Sequence, residues 1–143
     1  MIRKSATQRV VTTLKKYGPS PVKLIAQKAK CKVATAQATL NKLVYTGLLS
    51  FAEMRLGRFA RPRVGFGSRR LLRLYYIPQV HNSNRIYSAI SRLIVFKRPN
   101  NVYERRAFGM WLSSAILPHQ VRENIQTSVL EARRRPPRVH VRN

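Results

Sequence analysis

The 143-residue chain has no aspartate, only four glutamates and a single cysteine, and its apolar runs are short, such as LIVF at Leu93–Phe96. Each scarcity excludes something. One cysteine, Cys31, rules out an internal disulfide framework. No run approaches the ~20 apolar residues of a membrane span. The N-terminus MIRKSATQRVV is basic but lacks the apolar core of a secretory signal. Glu53, Glu104, Glu123 and Glu131 are scattered, with no helix-spaced pair among them. His81, His119 and His140 have no ligand-like companions, so no metal or other cofactor is expected. The glycines Gly57, Gly65 and Gly67 do not match a phosphate-binding loop. The chain therefore reads as a non-enzyme.

What is present is positive charge. Lysine and arginine total 29, for a formal net charge of +25. A surface of this kind suits a polyanion, and nucleic acid is the first expectation. An anionic membrane surface is the weaker one, and no membrane partner is expected. A cytoplasmic, nucleoid-associated location fits these features. At 44% hydrophobic the chain can still build a core.

Ser5 to Tyr17 reads as a first helix, with Ser5 as N-cap and YGP as its stop. Val22 to Lys30 reads as a short second helix, apolar at Val22, Ile25, Ala26 and Ala29. After a basic turn, KCK, a third helix spans Val33 to Thr46, with Val33, Ala36, Leu40, Leu43 and Val44 turned inward and Gly47 ending it. Two strand candidates follow, Leu48 to Leu56 and Leu71 to Ile77. Between them lies Gly57 to Arg70, carrying Arg58, Arg61, Arg63, Arg69 and Arg70, and expected to be an exposed, flexible hairpin loop. Phe59 and Phe66 are expected to tuck this loop down. Three more helices are expected at Asn84–Lys97, Val102–Leu117 and His119–Arg134, followed by a basic tail over 135–143.

The order helix, helix, turn, helix, strand, basic loop, strand resembles the winged helix-turn-helix of DNA-binding regulators, of the broad MarR-like and ArsR-like kind. The residues that carry the resemblance are Ala26, Ala29, the turn Lys30–Lys32, Thr35, Ala36, Leu40, Leu43 and GLL at Gly47–Leu49. It covers about the first 78 residues. Many relatives have Gly or Asn where Lys30 stands and Ser or Thr where Lys32 stands, so Lys30 is expected to take a left-handed conformation and the third helix to lack a side-chain cap.

The resemblance implies a mainly α protein with a small β-hairpin: a winged helix-turn-helix domain over 1–78 and a helical extension over 79–134. The third helix would then offer Ala34, Thr35, Gln37, Ala38, Asn41 and Lys42 to a major groove. Gln37 and Asn41 are one turn apart and suit adenine edges, whereas Ala34, Thr35 and Ala38 suit thymine methyls. Lys23, Lys28, Lys30 and Lys32 are placed for phosphates, and the five loop arginines for phosphates or a narrow minor groove. Apolar faces around Ile90, Leu93, Phe108, Trp111 and Leu112 suggest a homodimer through residues 84–134.

The expected function is double-stranded DNA binding by a regulator of transcription or replication. A structural RNA-binding protein of a ribosome or other ribonucleoprotein is the alternative, and a nucleoid protein without sequence preference a third. The spread of charge bears on this choice. Residues 1–80 hold 17 of the cationic residues and residues 81–143 the other 12, so the chain is basic throughout.

Overall fold

The computed structural model describes residues 5–63 and 71–134. Its elements run α1 (Ala6–Tyr17), α2 (Val22–Ala29), α3 (Val33–Tyr45), β1 (Ser50–Arg55), β2 (Ala60–Pro62), β3 (Leu71–Tyr76), α4 (Ser83–Leu93), β4 (Ile94–Phe96), α5 (Val102–Ser114) and α6 (His119–Arg134). The protein is mainly α, with short antiparallel strand pairs.

Local chemistry explains the helix ends. Ser5 Oγ accepts from the Gln8 N–H at 3.2 Å, and Gln8 Oε1 accepts from the Ser5 N–H at 3.1 Å. This reciprocal capping box starts α1 one residue after Ser5. Gly18, at φ +84°, supplies the left-handed turn that stops it. Asn82 and Asn101 cap α4 and α5 by accepting from the Arg85 and Glu104 N–H groups. Lys30 occupies the left-handed region, φ 57° and ψ 48°, as the sequence implies, and Lys32 caps α3 with backbone geometry alone.

β1 and β3 form an antiparallel ribbon with Phe51 opposite Tyr75, Glu53 opposite Arg73 and Met54 opposite Leu72. Ser20, between α1 and α2, adds a third rung through reciprocal bonds with Tyr75 (3.2 and 2.9 Å). Side chains alternate across the ribbon. Tyr75 and Ile77 on one side join Val10, Leu14, Ile25, Leu40 and Leu43 in a core built by α1–α3. Ala52, Met54, Leu72 and Leu74 on the other join Ile86, Ile90, Phe108, Leu112, Val121 and Ile125 in a second core built by α4–α6. The core of the extension thus reaches back across residue 78 onto the ribbon, which serves as the wall between the two.

Several expectations need correction. The helix expected to run to Lys97 ends at Leu93, and Ile94–Phe96 becomes β4. Its partner is β2, inside the expected free loop: Ala60 faces Phe96 and Pro62 faces Ile94. The Arg63 N–H donates to the Leu93 carbonyl at 2.9 Å and the Lys97 N–H to the Phe59 carbonyl at 2.7 Å. β-Branched Ile94 and Val95 favour an extended backbone once a partner strand is available. Residues 58–63 are therefore docked and not a free loop. Phe59 does tuck inward, its ring edge-to-face with Phe108 at 5.7 Å and tilted against Trp111 at 5.3 Å between centroids. Phe66, Arg69 and Arg70, and the tail over 135–143, lie outside the described residues. Val33, expected to face inward, is 48% exposed, whereas Ala36, Leu40 and Leu43 are buried and Val44 packs against the same core.

Candidate nucleic-acid interface

α3 carries two faces. Ala36, Leu40 and Leu43 are buried against α1 and α2. Ala34, Thr35, Ala38, Asn41 and Lys42 are exposed on the other side, together with Tyr45 at the end of the helix. The short side chains at 34, 35 and 38 leave the first turns of the helix slim, which close approach to base edges requires. Neither α2 nor α3 has a side-chain cap: Pro21 and Lys32 hold the N-cap positions without one. Their first N–H groups therefore remain available to an anion.

Gln37 is held by partners within the chain. It is half-buried, and its amide nitrogen donates to Asn41 Oδ1 and to the Tyr75 hydroxyl, each at 2.9 Å. Pairing with adenine needs one amide hydrogen free for N7, and both of Gln37's are engaged. Asn41 is exposed, and its Oδ1 is the acceptor of the Gln37 bond. Its oxygen has two lone pairs, so it can accept from Gln37 and from a base at once. Gln37 thus fixes which way the Asn41 amide points.

Sequence reading missed Tyr75 and Arg73. The Tyr75 ring is buried in the α1–α3 core, 2% exposed, and its hydroxyl reaches the side of α3. Arg73 lies over the Phe51 ring at 4.7 Å and pairs with Glu53 directly across the ribbon. Its pKa is raised above the ordinary value, first by the Tyr75 hydroxyl and then by Glu53, against the opposing effect of partial burial. Lys23, Gln37, Arg73 and Tyr75 line one cleft of about 330 Å³ where α2 begins, between α3 and β3. The alternation in LLRLYYI pointed to this face, since Arg73, Tyr75 and Ile77 share it, but which helix they meet is a tertiary fact.

The remaining candidates divide into separate groups. Lys28 and Lys30 lie away from that cleft, beside Arg9, Lys16 and Tyr17 of α1. Lys32 is exposed at the start of α3. Arg58, Arg61 and Arg63 are exposed along and beside β2, with the Arg58 guanidinium over the Phe59 ring at 4.9 Å and Lys97 and Arg98 close by. Ile90, Leu93, Phe108 and Leu112, which suggested a dimer, are buried within the chain. The Trp111 indole N–H is bonded to the Arg55 carbonyl. The exposed large apolar side chains of this region are instead Val102, Tyr103 and Met110 of α5, with Ile116 and Leu130.

Among the described residues no group of three or more His, Cys, Asp or Glu could hold a metal ion. No described helix is long and apolar enough to cross a membrane. Comparison with protein-family models, curated proteins and solved structures returned no match.

Proposed function

We propose that this protein binds double-stranded DNA, with α3 in the major groove, as a regulator of transcription or replication in the nucleoid. The observation that supports this best is the outer face of α3: short side chains at 34, 35 and 38, then an exposed Asn41 whose amide is oriented by Gln37. Asn41 then pairs with an adenine edge. Lys23, Lys32 and Lys42 flank the helix and take phosphates, which set register without reading sequence. The exposed Arg58, Arg61 and Arg63 take further phosphates beside the ribbon, along a backbone already held by β4.

Selection from a random duplex pool, followed by sequencing of the retained DNA, tests the reading. An enriched motif containing adenine is expected, and its enrichment should fall with Asn41→Ala. A pool that emerges unenriched would refute base reading and leave a nucleoid protein without sequence preference.

The second reading is a structural RNA-binding protein. It is favoured by the exposed Arg85, Arg92, Arg98, Arg105 and Arg106 on the extension, far along the chain from α3. Competition separates the two. Structured RNA that displaced the selected duplex at equal phosphate concentration would favour the RNA reading.

A further inference from the structure

We infer that the groove between α1 and the end of α2 is a second phosphate-binding track, which holds another segment of nucleic-acid backbone while α3 holds the first. This rests on the proposal that α3 faces DNA. The groove has a volume of about 260 Å³, and Arg9, Lys16, Lys28 and Lys30 line it, with Thr12 and Tyr17 between them. No acidic residue falls anywhere in α1–α3, since the glutamates begin at Glu53. The four cations are therefore left without a carboxylate from their own bundle.

Three observations point to a ligand. First, the Lys16 and Lys28 ammonium groups lie 5.4 and 5.1 Å from the centre of one ring, that of Tyr17. Cation–π attraction holds both there despite their like charge. Second, Arg9 is half-buried and its Nε is enclosed without a hydrogen-bond partner. Third, Lys30 takes a left-handed conformation at a helix end where glycine or asparagine would be less strained. Strain at a lysine that lines a cationic groove has a reason if the ammonium is needed there.

Geometry separates this groove from the α3 face. Lys23 and Lys28 are five residues apart on α2, which at 3.6 residues per turn rotates them by about 140°. Lys23 thus borders the cleft beside α3 and Lys28 borders the groove beside α1. α3 packs against both α1 and α2, and none of its residues lines the groove. Arg9 and Lys16, seven residues apart, share one edge over about 10 Å. That length spans successive phosphates of one strand, which recur every ~3.4 Å of axial rise.

The test uses the full chain with two short duplexes, one carrying a donor and the other an acceptor dye. The parent protein should join them and give energy transfer. Arg9→Gln, Lys16→Gln and Lys28→Gln together should reduce transfer at least tenfold while affinity for a single selected duplex changes less than about threefold. The pair Lys16→Gln, Lys28→Gln covers the case in which Arg9 is needed for folding, and should show the same loss in smaller degree. Removing three charges from the extension, by Lys97→Gln, Arg98→Gln and Arg105→Gln, should leave transfer intact. Lys30→Gly should raise the denaturation midpoint and still weaken transfer, a combination that a purely structural lysine would not give. Groove variants that join duplexes as well as the parent would overturn the inference, as would equal loss in the extension variant. Failure of the α3 reading is distinguishable: an Asn41→Ala, Lys42→Ala variant would then bind the single duplex as tightly as the parent.

Discussion

The geometry of Gln37 makes a quantitative demand on Asn41. If Gln37 only orients the Asn41 amide, the two side chains must act on DNA as a unit. Asn41→Ala removes the bidentate adenine contact and should cost about 1–3 kcal/mol on the selected site, a loss of roughly 5- to 150-fold. Gln37→Ala leaves Asn41 in place but frees its amide to rotate. Re-ordering one such side chain costs about 0.5–1.5 kcal/mol, or roughly 2- to 12-fold in affinity. In an Asn41→Ala background there is no amide left to orient, so Gln37→Ala should then have no effect on binding. The double-mutant cycle should therefore return a coupling close to the whole Gln37 effect. Stability should move separately. Gln37→Ala deprives the Tyr75 hydroxyl of one donor, and the loss should be about 1 kcal/mol, near the low end because Arg73 stays beside that hydroxyl in the adjoining cleft. Fluorescence anisotropy with the selected duplex and a scrambled one, alongside urea denaturation, supplies all four corners. A Gln37→Ala effect as large without Asn41 as with it would refute the positioning role and make Gln37 a direct contact.

Three other outcomes follow from the structure. Replacing Arg58, Arg61 and Arg63 by Ala should make the slope of log affinity against log salt less negative by about 2–3 units on duplex DNA; circular dichroism should be unchanged, since these side chains are exposed and the β2–β4 bonds are backbone bonds. His81 is 3% exposed, accepts the Ile77 N–H at its Nδ1 (3.0 Å), and has its pKa lowered by burial and then by the Arg85 charge. The unfolded chain therefore binds this proton at higher pH than the native one, so stability should be full above the ordinary value of 6.5 and fall as pH drops below it, an effect that His81→Gln should flatten in denaturation at pH 7.5 and 5.5. A fragment ending at residue 78 should fail to form a stable monomer, because Ala52, Met54, Leu56, Leu72 and Leu74 would lose their cover; a cooperative, monomeric fragment by sedimentation and thermal melting would contradict the shared-ribbon core.

Features that depend on neighbours along the chain are legible in the order of the residues. Charge and the missing aspartate are plain counts. The Ser5 cap, the helix over Val33–Tyr45 with Ala36, Leu40 and Leu43 inward, and the left-handed Lys30 all follow from residues within about four positions of one another, the reach of a helical turn. The alternation of β1 and β3 is equally local. What lay beyond reach depends on partners far along the chain. Residues after Leu93 continue an apolar helical pattern, and only the arrival of Ala60–Pro62, more than thirty positions earlier, turns them into a strand and fixes the base of the arginine loop. Gln37 looks like a base reader until the Tyr75 hydroxyl, 38 residues away, takes one of its amide hydrogens. Lys23 and Lys28 are alike in sequence, yet the packing of the bundle puts Lys23 in a cleft with Gln37 of α3 and Arg73 of β3 and Lys28 in a groove with Arg9 and Lys16 of α1. Strand pairing, burial of both ribbon faces and the grouping of like charges are set by which distant surfaces meet, and no local periodicity encodes that meeting.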